Sequence, residues 1–239
     1  TLQRFETPFR RQSFYVYDFA TIKPWLTLIG GLSWDRIERP ENFRNPPLSA
    51  RSVESEHKNW KLGFTLSPTS WWTLRALHTE AVGGVTLEEN VRLEPVQLAG
   101  FNQAFRTVMP ESLVGSVEAP VYRNTGVSLE GHVPSRTWWA LTFNHLTEDV
   151  SRSIGSYDVL SAPVFPRGVV ILPANTPENL AYRERVFTAT VDQLLGQTFA
   201  VGISYRFTRA ELRDRFSQIP IALAPYADNY DRASVEELT

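Results

Sequence analysis

The fold class this sequence predicts is all-β: an antiparallel β-barrel that spans a membrane, with about eight strands present of a larger barrel. Three observations carry that reading. Apolar residues recur at every second position in several separate stretches, tight turns alternate with long segments, and the 239 residues include seven Trp, eight Tyr and fourteen Phe without any long apolar run. Period-two alternation gives a strand one apolar side and one polar side. A strand crossing lipid needs only its alternate residues to be apolar, whereas a spanning helix needs about 20 apolar residues in succession.

Taken in order, the predicted strands begin with residues 13–22 and 26–35. The second sets Leu26, Leu28, Gly30, Leu32 and Trp34 against Thr27, Ile29, Gly31, Ser33 and Asp35. The third, 60–67, sets Trp60, Leu62, Phe64 and Leu66 against Lys61, Gly63, Thr65 and Ser67. Residues 71–79 and 122–131 follow, then 139–144 with Trp139, Leu141 and Phe143 on one parity, then 182–194 with a poorer pattern. The clearest is 198–208, where Phe199, Val201, Ile203, Tyr205 and Phe207 alternate with small or polar residues. Eight strands result, each near the ~9–11 residues that a tilted strand needs to cross a bilayer. Leu28, Leu62, Phe64, Leu141, Phe143, Val201, Ile203 and Tyr205 are the expected lipid-facing residues. The opposite parity is rich in Gly, Ala, Ser and Thr, which suits a polar lumen better than a packed soluble core.

The connections support the same architecture. Lys23-Pro24, Pro68-Thr69-Ser70, Val133-Pro134-Ser135 and Gly196-Gln197 read as tight turns, and residues 38–58, 80–121 and 152–181 as long loops. Short periplasmic turns and long extracellular loops are the asymmetry of bacterial outer-membrane barrels. Trp25, Trp71, Trp72, Trp138 and Trp139 all lie beside short turns, where indoles can form an aromatic girdle at the headgroups. Two stretches have capping-box spacing, Thr208-Arg209-Ala210-Glu211 and Ser234-Val235-Glu236-Glu237, and are expected to start short helices. Gly168 to Leu172 reads either as a short strand or as an apolar loop tip. No linker divides the chain, so residues 1–239 read as one barrel unit, a piece of a longer protein.

Composition and motifs exclude several functions. With 24 basic against 26 acidic residues and a net charge of -2, nothing points to nucleic acid. Zero cysteines remove disulfides, thiol nucleophiles and zinc fingers. The four histidines, His57, His78, His132 and His145, lack paired metal-ligand spacing, and Gly126 to Gly131 is one residue too long for a GxSxG elbow. The chain is therefore read as no enzyme, with no metal and no cofactor. Any solute contact is expected from the long loops and the small-residue lumen face, with Arg92, Glu94, Asn102, Gln103 and Arg106 of the 80–121 loop as first candidates, the plainer alternative for that loop being a solvated segment over the barrel mouth.

The run Trp25 to Asp35, with Lys61-Leu62-Gly63-Phe64-Thr65-Leu66-Ser67-Pro68, Trp72-Thr73-Leu74-Arg75-Ala76 and Phe199 to Phe207, resembles consecutive strands of a TonB-dependent receptor barrel. Residues Arg92 to Gln103 and Pro134 to Trp139 are similar to barrels joined to tetratricopeptide repeats in bacterial outer-membrane proteins. The resemblance implies a Gram-negative outer membrane, its lipid as surroundings, and transport of a solute, with a TonB system or a tetratricopeptide-repeat region of the same chain as partner. No plug domain, TonB box or aromatic-ended terminal strand is recognised in these residues. An export barrel carrying periplasmic repeats, and a soluble all-β binding module, stand as the other two readings.

Overall fold

A computed structural model describes residues 9–43, 46–84, 94–103, 119–161, 169–222 and 224–239. Nine strands form one sheet, every neighbouring pair antiparallel. They are β1 (Arg10–Lys23), β2 (Leu26–Asn42), β3 (Ser49–Thr69), β4 (Trp72–Val82), β7 (Val121–Val133), β8 (Thr137–Ser161), β9 (Val169–Leu195), β10 (Phe199–Phe216) and β11 (Asp228–Leu238). A separate two-stranded hairpin, β5 (Gln97–Leu98) and β6 (Phe101–Asn102), lies between β4 and β7 in sequence. All eight predicted strands are present in their predicted order.

The sheet is open, with β1 and β11 at its edges and no ladder closing it into a barrel among the described residues; it is an all-β antiparallel sheet compatible with the partial barrel expected. Several finer expectations need correction. The sheet has nine strands in place of eight, because Asp228–Leu238 pairs along β10 and does not begin a helix. The stretch after Thr208 is likewise strand, since Arg209, Glu211, Arg213 and Arg215 alternate with Ala210, Leu212 and Asp214, and β9 and β11 supply ladder partners on both sides. Capping-box spacing starts a helix only when a 3.6-residue period follows it, and here the period is two. The expected loops 38–58 and 152–181 are mostly extended hairpin arms, for β2 runs to Asn42 and β8 pairs with β9 out to Ser161 and Val169. Val169 to Leu172 is the start of β9. The tight turns between β1 and β2, β3 and β4, β7 and β8, and β9 and β10 lie at the predicted places.

The sheet curls about one face. Arg39 on β2 donates to the Ser151 carbonyl on β8 at 3.4 Å, although three strands separate them in the ladder. Across a flat sheet that span is about 19 Å at ~4.8 Å per strand, beyond the reach of an arginine. Arg11 on β1 similarly donates to the carbonyls of Val82 and Gly83 at the end of β4. On the concave face Ile29, Leu77, Leu98 and Phe101 form one cluster, Ile37, Val82 and Ala119 a second, and Val150 and Leu180 a third.

The opposite, convex face is bare. Leu28, Leu62, Leu141, Phe143, Val201 and Ile203 are exposed there, and Phe64 and Tyr205 half-buried. Their apolar band crosses the ladder at a slant. On β3 the outward apolar run Trp60 to Leu66 centres on Gly63, whose row passes through Leu77, Gly126, Asn144 and Val186 to Thr208 on β10. On β10 the run Phe199 to Phe207 centres on Ile203, five residues nearer the short turns. Five residues of ~3.3 Å against five strand spacings of ~4.8 Å give an angle of about 35° between strands and the band's normal. Membrane-barrel strands tilt by roughly 35–45°, so a level slab of lipid would cut this sheet along such a slant.

In the full-length protein in lipid, Ile203→Arg should destabilise by about 2–4 kcal/mol relative to wild type, and Ser204→Arg, on the concave parity, by clearly less. Reversible urea unfolding measures both; equal penalties would remove the distinction between the two faces.

Candidate functional site

The concave face holds a chain of buried polar groups between the sheet and the β5–β6 hairpin. Parity places them: Arg11, Ser13 and Tyr17 on β1, Ser33 and Asp35 on β2, and Asn59 and Lys61 on β3 all project to this side. Arg11 Nη2 donates to Asp35 Oδ1 at 2.7 Å, and Ser13 Oγ donates to the same oxygen. Asn59 Nδ2 donates to Asp35 Oδ2 at 3.1 Å, and Lys61 Nζ donates to Ser33 Oγ at 2.7 Å. Lys61 then meets Glu94 of the hairpin segment at 3.5 Å. Tyr17 Oη donates to the same Glu94 oxygen, while Gln103 Nε2 donates to Tyr17 Oη at 3.2 Å and to the Pro95 carbonyl at 2.6 Å. Asp35 and Lys61 are 0% exposed and Glu94 5%, so three charges lie out of water.

The hairpin is shaped to fit inside. Ala99 and Gly100 both adopt positive φ, 48° and 85°, which is the two-residue turn geometry whose twist matches paired strands. Leu98 and Phe101 point against Ile29 and Leu77. Phe101 lies flat against β7 at Gly126, where any Cβ would come within 2.5 Å of its ring. Asn124 Nδ2 donates to the Asn102 carbonyl at 3.1 Å and ties the hairpin to the same strand. The ten described residues 94–103 are held against the concave face by the Lys61–Glu94 ion pair, by Tyr17, and by Phe101 in close contact with Gly126.

Of the predicted solute contacts, Glu94 and Gln103 are therefore buried in this network, and Asn102 lies exposed on the hairpin edge beside Gln97. Arg92 and Arg106 lie outside the described residues. Tyr17, Asp35, Lys61 and Arg11 were not singled out from sequence as a site. The available signal was Lys61 and Asp35 standing on the small, polar parity, where a charge has to find a partner. The tryptophans expected as a girdle cluster at the short-turn end: Trp25 and Trp71 are in turns, Trp72 opens β4, and Trp138 and Trp139 open β8, Trp139 covering Gly131. At the other margin of the band Trp34 stacks near Phe14 and donates its ring N–H to Glu56 at 2.7 Å.

A second polar cluster lies on the concave face farther toward the long hairpins. Arg152 on β8 pairs with Glu178 on β9, and Asp214 on β10 sits beside Glu178. Burial first, and then the Glu178 carboxylate, push the Asp214 carboxyl up to about 6. Among the described residues no group of three or more His, Asp or Glu could hold a metal, and no helix is long and apolar enough to cross a membrane.

No protein-family model matches the chain, and no curated protein matches it. Among solved structures it is similar to the FrpB iron transporter from Neisseria meningitidis. The F3-3 variant is 12% identical and the apoprotein form of the F5-1 variant 11%, each with a TM-score of 0.37. Both alignments cover 95% of this chain and 40% of the transporter, so the chain spans about two-fifths of their length.

Two outcomes are expected. Lys61→Met leaves the buried Glu94 without its cation, while Asp35 keeps Arg11, and should cost about 3–5 kcal/mol, with the double change Lys61→Met/Glu94→Gln recovering a large part; a double-mutant cycle by urea unfolding measures it. Because Asp214 has its folded pKa raised, its contribution is favourable below the ordinary carboxylate range and is lost as pH rises through about 6. Asp214→Asn should accordingly stabilise the protein above pH ~6 and flatten stability between about pH 4 and 6, as unfolding at a series of pH values would show.

Proposed function

We propose that the chain is part of the wall of a bacterial outer-membrane β-barrel that passes a solute, with the 94–103 hairpin as its internal gate. The observation that carries the reading is the division between the sheet's two faces. The convex face bears an apolar band slanted at the angle of membrane strands, and the concave face bears buried charge and small residues. In a bilayer the convex residues lie in lipid and the concave residues line the lumen. The short-turn tryptophans then mark one headgroup level and Trp34 the other. The free edges of β1 and β11 are closed in this reading by strands of the complete barrel, since an open ladder edge is not tolerated in lipid.

The gate follows from the chemistry of the plug. A hairpin held by a buried Lys61–Glu94 pair and by Tyr17 is stable when complete, and weak once any member is neutralised or drawn to another partner. A polar solute offering a charge or hydrogen bonds to Glu94 or Gln103 would compete for those groups and let the hairpin withdraw. Import coupled to a TonB system, or export from periplasmic repeats, are both accommodated by this wall. A soluble module fits less well, because water would then meet Phe199, Val201, Ile203, Leu62, Trp60 and Leu141 as one continuous apolar surface.

Conductance of the full-length protein in planar lipid bilayers tests this. Glu94→Gln removes the carboxylate that Lys61 and Tyr17 share and should raise the open-channel current several-fold. A current unchanged by Glu94→Gln and by deletion of residues 94–103 would show that the hairpin blocks no pathway.

A further inference from the structure

The convex face above the apolar band is uneven in charge. On β2 and β3 the first outward charges are matched, Arg36 with Glu54 and Lys58 with Glu56. On β7 to β11 they are not. Arg123 engages Asp149 at 2.9 Å, Arg209 engages Glu211 at 2.6 Å, and Arg213 engages Asp228 at 2.6 Å. With Asp149, Glu211 and Asp228 so taken, Arg183 and Arg185 on β9 are exposed and in no salt bridge among the described residues, and the remaining outward carboxylate, Glu236 on β11, stands opposite Phe207. Glu211, which stands opposite Arg183 in the ladder, is the one held by Arg209.

Position gives the excess a meaning. Arg185 stands two residues beyond Phe187 and in register with His145 and Arg209, so these three form the first polar row above the aromatic margin of the band. Phe187 and Tyr205 lie immediately below, their ring centroids 6.4 Å apart. Beside the row, Ala181, Arg183, Glu211, Arg213, Asp228 and Tyr230 line a cleft of about 380 Å³ on the same face, with Arg183 two residues beyond Arg185 on β9. In the membrane this is headgroup depth in the leaflet next to the long hairpins. Two unpaired guanidiniums there fit a phosphate, which arginine binds through forked, charge-assisted hydrogen bonds. The carboxylates of Glu211 and Asp228 and the phenol of Tyr230 in the cleft fit hydroxyls, and Phe143, Phe187 and Phe207 fit acyl chains.

We propose that Arg183 and Arg185, with His145 and the adjoining cleft, bind the phosphorylated headgroup of a glycolipid in that leaflet. The site rests on the membrane-spanning reading but is independent of the gate, since it lies on the other face of the sheet.

Native mass spectrometry of the full-length protein in detergent, titrated with lipid A, tests the assignment. Arg183→Gln/Arg185→Gln should weaken binding about tenfold, and Arg185→Gln alone about threefold, for the loss of charge-assisted contacts. Arg36→Gln/Lys58→Gln, which removes equal charge from β2 and β3, should leave binding unchanged. Dephosphorylated lipid A should bind wild type as weakly as lipid A binds the double variant, and millimolar inorganic phosphate should not displace lipid A. Unchanged binding in the Arg183/Arg185 variant, equal losses in both double variants, or displacement by inorganic phosphate would each overturn the site. Heat-modifiable migration on gels, retained by all variants, separates these outcomes from failure of the membrane reading, in which wild type itself would need no detergent and show no such shift.

Discussion

A backbone N–H or C=O with no partner in hydrocarbon costs several kcal/mol, and in the proposed membrane setting that cost would govern the whole of this chain. It requires ladders without gaps across the membrane depth. From β4 to β10 the register runs unbroken, and the irregularities of β1–β2, β2–β3 and β3–β4 fall toward the strand ends, at Thr21/Lys23, Pro40/Asn42 and Leu66/Thr69. Once the ladders are continuous, side chains have only two places to go. On the proposed reading apolar ones on the convex parity would meet lipid; whatever stands on the concave parity has to be satisfied inside the curl.

The interior answer is unusual in its concentration. A lysine with no exposed surface would be very costly alone, and here it is enclosed by Ser33, Glu94 and, at 5.9 Å, the ring of Tyr17. The same residues that solve the burial of Lys61 also determine where residues 94–103 settle. Gly31 and Gly126 make the fit steric as well as electrostatic, since a Cβ at Gly31 would approach the Tyr17 ring to 2.8 Å and one at Gly126 would meet Phe101. Sheet wall and plug are thus specified by one set of contacts, whose loss would release a short segment and leave the ladders intact.

Strand identity, order and parity were legible from sequence because period two is a local property: Trp60 to Leu66 and Phe199 to Phe207 declare their faces without reference to anything else. The length of the hairpin arms was not. Beyond the band the convex face of β8, β9 and β10 is charged, and the concave face mixes buried Val150 and Leu180 with Arg152, Glu178 and Asp214, so Arg209 to Arg215 alternate charged with mixed residues and no longer contrast polar with apolar. The plug was hidden for a different reason. Glu94 comes to Lys61 across 33 residues and β4, and nothing local to Arg92–Gln103 distinguishes a segment tucked into a curl from one lying over its mouth. Lys61 and Asp35 on the small-residue parity were the trace of it.

The slant of the apolar band is the most direct consequence of placing this sheet in a membrane. The chain contains no cysteine, so single cysteines can be introduced along β3 and β10 without background from these residues and their reaction with a water-soluble maleimide followed in intact membranes of cells making the full-length protein. Expected is protection of the outward positions 60, 62, 64 and 66 on β3 and 199, 201, 203, 205 and 207 on β10, with reactivity returning at 58 and at 209. The row joining Leu62 to Arg209 would then be protected at one end and reactive at the other. Ready labelling of 201 and 203, or protection that follows a ladder row instead of crossing it, would contradict the membrane-spanning account.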